Sequence, residues 1–298
     1  MKKELSISDS RFPVEHLESE ARPPRIANGF TLIEVMVVMG LLSLIVLALM
    51  AVFNATQTAF RASVTQSDIL EGGRAAMDLM TGDLRGMAPS LGANSGAMNF
   101  CVTNYGYPPV YQSLAPISPN TRTNVQENFF ILSRGNKNGV PTWFGRGYAV
   151  YSSPTNLYSL YHFSTDHPVG SSGAPDDLFY MDFSNFLASP NSHGGHLVDG
   201  VVGLRLQAFD LNGALINTNA PASLMRTNSL PNLPGEAGYV FYGNALPASV
   251  EIEMATVEDR TLQQAEVKGV GWLTNQVGKV HVFRQRVSIP NVDPAAYQ

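Results

Sequence analysis

Apolar positions are distributed very unevenly along this chain. From Val35 to Phe53 it reads VMVVMGLLSLIVLALMAVF, 19 residues without a charge. As a helix rising about 1.5 Å per residue, the run spans roughly 30 Å, the thickness of a bilayer's hydrocarbon core. A cleaved secretory signal has a shorter apolar region, about 7–15 residues, that ends at a small-residue A-x-A site, and the run matches neither feature. The pattern therefore predicts one membrane-spanning helix. Arg11, Arg22 and Arg25 lie within about 20 residues before Phe30, and only Arg61 lies that close after Phe53, so the distribution of basic residues keeps the N-terminus in the cytoplasm. Everything beyond the span then faces the far side, which in a bacterium is the periplasm.

Past Phe53 the sequence stays helix-friendly to about Arg85, and the next proline is Pro89. Leu70, Met77, Met80, Leu84 and Met87 recur at helical spacing and form one apolar face, with Glu71, Arg74, Asp78, Asp83 and Arg85 as the polar positions around it. Gly72-Gly73 weakens the helix by about 1 kcal/mol per glycine relative to alanine, which predicts a bend or local melting there. From Pro89 to about Asn128 the composition turns to Pro, Gly, Asn and Ser and reads as loop. Short β-type runs follow at Asn128–Ser133, Gly147–Ser152, Leu157–Phe163 and Leu178–Phe183. Strict alternation marks Val202–Ala208 and Val250–Met254 as half-buried antiparallel strands, and Lys279–Ile289 as a closing strand. The Asn- and Pro-rich stretch Asp210–Ala237 reads as an insertion between strands.

Composition narrows the function. The 298 residues are 44% apolar but only 14% charged, and 19 Lys+Arg against 24 Asp+Glu give a net charge of −5. No basic stripe is available for nucleic acid, so none is expected as a partner. A single cysteine, Cys101, cannot form an intramolecular disulfide, and no Cys/His set has zinc spacing. The sequence contains no G-x-S-x-G, H-E-x-x-H, G-x-x-x-x-G-K-[ST] or G-x-G-x-x-G after a strand, and no catalytic set or cofactor is assigned. His193 and His196 with Asp199, and Asp166-His167 with Asp176-Asp177, are the nearest candidates for a metal or Ca²⁺ site. They lie in turn-rich segments and supply too few ligands for a metal assignment.

Glu34 is the exception to the apolar pattern. It stands just inside the run, in Gly29-Phe30-Thr31-Leu32-Ile33-Glu34. A carboxylate costs a few kcal/mol at mid-membrane and less near the interface, and such residues usually mark a function. By itself Glu34 is equally well read as a side chain reaching the headgroups.

The six residues G-F-T-L-I-E, opening an apolar run, resemble the N-terminal signature of type IV pilins and type II secretion pseudopilins. The resemblance implies that a prepilin peptidase cuts between Gly29 and Phe30 on the cytoplasmic side and methylates the new amine of Phe30. It also implies that Glu34 meets the N-terminal amine of a neighbouring subunit as helices stack in a filament. The leader, Met1–Gly29, is longer than the short basic leaders common in these families. Its five basic and five acidic residues cancel, which leaves the mature chain with 14 against 19, and Pro13, Pro23 and Pro24 argue against a helix in it. The stretch from Arg74 to Arg85 is similar to the helix end of the minor pseudopilin J family and of PilW-like minor pilins. Leu197–Leu206, Phe209-Asp210, Leu246–Glu253 and the terminal His281-Val-Phe-Arg resemble the β-rich body of the J family.

The expected fold is α+β and pilin-like, a long N-terminal helix packed on an antiparallel β-sheet head. Its parts are a leader (1–29), the transmembrane half of the helix (30–53), its amphipathic half (54–87) and a periplasmic head (88–298). The function this implies is that of a minor pilus or pseudopilus subunit near the filament tip, supporting assembly and secretion. Its partners would be other minor pilins or pseudopilins, the prepilin peptidase, the inner-membrane assembly platform and the membrane itself. Two alternatives are a minor pilin acting as adhesin or DNA-uptake receptor, and a membrane-anchored periplasmic enzyme.

Overall fold

The structure is a computed structural model that describes residues 29–90, 97–104, 110–113, 121–153, 156–172, 175, 177–216, 226–228 and 238–297. The leader expectation for 1–28 lies outside the described residues. Helix α1, Leu32–Arg85, runs for 54 residues. Its contacts divide the chain within the helix into two compact units, Met1–Thr58 and Ala59–Gln298.

In the first unit every helical residue from Leu32 to Thr58 is exposed. The helix is nevertheless satisfied internally. Besides the backbone ladder, the hydroxyls of Ser43, Thr56 and Thr58 donate to the carbonyls of Met39, Val52 and Asn54 at 2.8, 2.9 and 2.9 Å. Hydroxyls bonded back to carbonyls of their own helix are what a hydrocarbon environment requires of such side chains.

In the second unit α1 acquires a buried face. Ile69, Gly73, Ala76, Met77, Met80 and Leu84 are buried along it, the spacing of a single helical stripe. The expected stripe therefore holds at Met77, Met80 and Leu84, while Met87 is buried just past the helix end in a bridge to Ser133 and Ile69 takes the buried position beside a half-buried Leu70. The helix shows no break at the glycine pair. A Cβ on Gly73 would lie 2.4 Å from the Phe283 ring, whereas one on Gly72 would meet Val198 Cγ2 at 3.5 Å. Gly73 is thus a close-packing position for an aromatic ring and not a hinge.

The strands are β1 Met98–Thr103, β2 Val110–Ser113, β3 Thr121–Asn124, β4 Asn128–Lys137, β5 Val140–Ser153, β6 Asn156–Pro168, β7 Gly195–Val198, β8 Val201–Phe209, β9 Arg226–Asn228, β10 Gly238–Tyr242, β11 Ser249–Val257 and β12 Val280–Ser288. They form a seven-stranded sheet in the order β7-β6-β5-β4-β1-β10-β9, a three-stranded sheet β12-β11-β8 and a β2-β3 pair. All the strand pairings are antiparallel. Helices α2 Asp177–Ala188, α3 Pro190–His193 and α4 Asp259–Lys268 complete the head.

The large sheet is buried on both faces. Phe129 and Ile131 of β4 join the core that contains Met77, Met80 and Leu84 of α1 and Leu204, Ile252 and Met254 of the small sheet. Phe130 and Leu132, the alternate residues, join a second core with Phe179, Phe183 and Phe186 of α2. That is why NFFILS reads as a continuous apolar run and not as an alternation.

Two expectations fail here. The stretch from Pro89 to Asn128 is not all loop, because it contains β1, β2 and β3; residues 91–96, 105–109 and 114–120 lie outside the described residues. β1 is buried along its whole length because β4 and β10 flank it, a placement that comes from pairing partners distant in sequence. The predicted strand Leu178–Phe183 is the first half of α2. Its six residues are rich in strand-favouring aromatics, but Phe179, Phe183 and Phe186 recur at i, i+4 and i+7, and Phe179 and Phe183 lie over Gly145 and Gly147 of β5, where added Cβ atoms would fall 2.4 and 3.0 Å from their rings. Of the expected insertion Asp210–Ala237, the described part is a turn in which Asp210 accepts the amides of Asn212 and Ala214 at 2.9 and 2.7 Å, followed by β9; 217–225 and 229–237 lie outside the described residues.

The glycine pair separates packing from helix propensity. Gly72→Ala should stabilise the head by about 0.5–1 kcal/mol through helix propensity, while Gly73→Val should destabilise it by about 1–3 kcal/mol through overpacking against Phe283. Thermal unfolding of the full chain in detergent, followed by near-UV circular dichroism, checks both signs.

Candidate functional site

The candidate site is the start of α1. Gly29, Phe30 and Thr31 are not helical, and the helix opens at Leu32. The Thr31 carbonyl accepts the amides of Glu34 and Val35 at 3.0 and 3.2 Å, and its hydroxyl accepts the Glu34 amide at 3.3 Å. Thr31 is therefore the N-cap and Glu34 the third helical residue, the T-x-x-E spacing of a capping box. That spacing is present in the sequence, and it sets where the helix starts.

The structure brings Gly29, Phe30 and Glu34 into one short segment around this cap. Phe30 is 81% exposed, and a Cβ on Gly29 would meet nothing within 4 Å, so the Gly29–Phe30 bond is uncrowded. Glu34 is exposed and lies in the first turn, where the helix dipole favours a negative charge by about 0.3–1 kcal/mol. This is smaller than the few kcal/mol an acidic side chain costs at mid-bilayer. The dipole alone does not make Glu34 at home in hydrocarbon, and a headgroup, water or an added cation must supply the rest.

The polar candidates of the head are held in separate local pairs. His196 Nε2 is 2.8 Å from Asp199 Oδ1, which also accepts from Ser159 Oγ at 2.5 Å. His167 Nε2 is 2.9 Å from Asp182 Oδ2, and Lys137 pairs with Asp166 at 2.6 Å. His193 Nδ1 is 3.2 Å from the Ser189 carbonyl. The two groups of metal candidates are thus not joined. Among the described residues no cluster of three or more His, Cys, Asp or Glu has metal-binding geometry. Asp176 lies outside the described residues.

Asp83 departs from its expected place on the polar side of α1. It is buried and accepts the Tyr148 hydroxyl at 2.5 Å; Arg146 Nη1 is 3.0 Å from its other oxygen and His162 Nε2 lies 3.7 Å away. Phe129 stacks on Tyr148 with ring centroids 4.7 Å apart. Burial, then the charge and hydrogen bond of Asp83, push the Tyr148 hydroxyl well above the usual tyrosine range. The sequence gives no sign of this, because the partners lie 63 to 79 positions away on β5 and β6.

Residues 24–50 match the family model described as the prokaryotic N-terminal methylation motif. The match covers the cap, Glu34 and most of the apolar run and stops before the head. Comparisons with curated proteins and with solved structures returned no match. The motif, with the exposed apolar helix it runs into, the one candidate span among the described residues, supports a type IV pilin- or pseudopilin-like subunit, membrane-anchored, processed by a prepilin peptidase and assembled with other pilins.

Alkaline pH should weaken the head. Burial pushes the Cys101 thiol from 9.0 to about 12 and the hydroxyls of Tyr158 and Tyr297 from 10.0 to about 12. These groups keep their protons in the fold at a pH where the unfolded chain has lost them, so their contribution is intact below about pH 9 and disappears as pH rises toward 12. Denaturant midpoints of the full chain should fall between pH 8 and 11, and Cys101→Ala should reduce the part of that fall lying below pH 10.

Proposed function

We propose that the chain is a minor subunit of a type II secretion pseudopilus or a type IV pilus, closest in design to the minor pseudopilin J family or PilW-like minor pilins. Prepilin peptidase removes Met1–Gly29 and methylates Phe30. Before assembly the protein spans the inner membrane once, with a cytoplasmic N-terminus and a periplasmic head. It then enters the filament through α1, with other minor pilins or pseudopilins and the inner-membrane assembly platform as partners. Its role is structural, supporting filament assembly and secretion, and involves no catalytic chemistry of its own.

The observation that carries this reading is the start of α1, where G-F-T-L-I-E, inside the matched motif, opens a helix whose first 27 residues bury nothing against their own chain. Such a surface suits lipid first and neighbouring helices afterwards. The head supports a place at or near the tip. It comprises two packed sheets with helices on both faces of the larger one, and a bulky head is tolerated best where no subunit follows it.

In this reading Glu34 meets the amine of Phe30 on a neighbouring subunit. A carboxylate withdrawn from water is tolerated when a cation is placed beside it, and removing one partner is strongly destabilising. Glu34→Gln should leave membrane insertion and leader removal intact and reduce incorporation into sheared filaments about tenfold or more. Incorporation at the level of the unsubstituted chain would remove the role given to that charge.

A further inference from the structure

We propose that Thr31 is a positioning residue for leader removal: by capping α1 it holds the Gly29–Phe30 peptide in non-helical backbone, open to the peptidase. The proposal rests on the reading that the chain is processed at this bond. Hydrolysis breaks the bond between the Gly29 carbonyl carbon and the Phe30 nitrogen; water supplies the oxygen of the new Gly29 carboxylate and protons for the Phe30 amine. An attacking group must reach that carbonyl, and a helix would bury it in the ladder, hydrogen-bonded to the amide four residues on.

The cap decides which of these states holds. In a longer helix the Glu34 amide would bond to the Phe30 carbonyl, four residues back. In the structure that amide is taken by Thr31, through its carbonyl at 3.0 Å and its hydroxyl at 3.3 Å. Phe30 and Gly29 consequently stay outside the helix. The next cap-forming side chain upstream in the sequence is Asn28, a residue type that ranks with the strongest N-caps. A helix restarted there would enclose Gly29 and Phe30 and remove the scissile bond from reach. Thr31 thus sets the helix boundary two residues beyond Gly29. The same hydroxyl that stabilises the helix keeps the bond before it outside the helix.

The test uses the full chain in membranes containing prepilin peptidase, with leader loss followed over time by intact mass. Thr31→Val keeps the branched shape and removes the cap; cleavage should slow about five-fold, the factor that corresponds to the ~1 kcal/mol a cap typically contributes. Thr31→Ser and Thr31→Asn both cap, one smaller and one differently shaped, and should be cleaved at the rate of the unsubstituted chain. Normal cleavage of Thr31→Val overturns the proposal. So does cleavage of Thr31→Asn as slow as that of Thr31→Val, because the peptidase would then be reading the threonine side chain itself. If the unsubstituted chain is not cut between Gly29 and Phe30, the processing reading fails, and the proposal fails with it.

Discussion

An apolar helix surface without a partner in its own chain governs the rest of this molecule. From Leu32 to Phe53 the side chains of α1 are exposed on every side. At about 25 cal/mol per Å² of apolar surface, leaving twenty such side chains in water would cost tens of kcal/mol, several times the total stability of an ordinary domain. The surface needs lipid or other helices, and the hydroxyls of Ser43, Thr56 and Thr58, bonded to carbonyls four residues back, suit either. One feature runs against the apolar design, the carboxylate of Glu34. It sits in the first turn, where the helix dipole reduces its cost.

The same helix changes environment along its length. Beyond Ile69 one face is buried in a core shared with both sheets. Two contacts fix it there: the Phe283 ring seated against Gly73, and the buried Asp83 held by Tyr148 and Arg146. The first requires the absence of a side chain and the second requires a charge with its partners. Neither tolerates a helix rotated by one residue, since rotation would turn Asp83 away from β5 and bring a side chain against the ring. The division within α1 at Thr58 therefore separates a part with no fixed neighbours from a part whose register is specified.

Features carried by neighbouring residues were legible in the sequence, and features carried by distant ones were not. The length and end of α1, its Met77-Met80-Leu84 stripe and the alternating strands β8 and β11 all follow from periodicity over a few residues. β1 did not, since its burial comes from pairing with β10, about 140 positions away. The helix α2 was misread because the run Leu178–Phe183 is too short to distinguish the two periods; Phe186 completes the helical one. Asp83 resembled a solvated helix position until β5 and β6 supplied its partners. At the helix start the signal is compressed into six residues, so the processing motif was readable at once, and the Thr31 cap lies in the same residues as a T-x-x-E pattern.

In this reading the chain is made as a precursor and matures by losing its leader at the boundary that Thr31 defines. The decisive measurement is the intact mass of the protein recovered from cells that contain prepilin peptidase. The expected product is a mature chain that begins at Phe30 and carries one additional methyl group on its amine. A chain that still begins at Met1, or one cut after the apolar span, would contradict it.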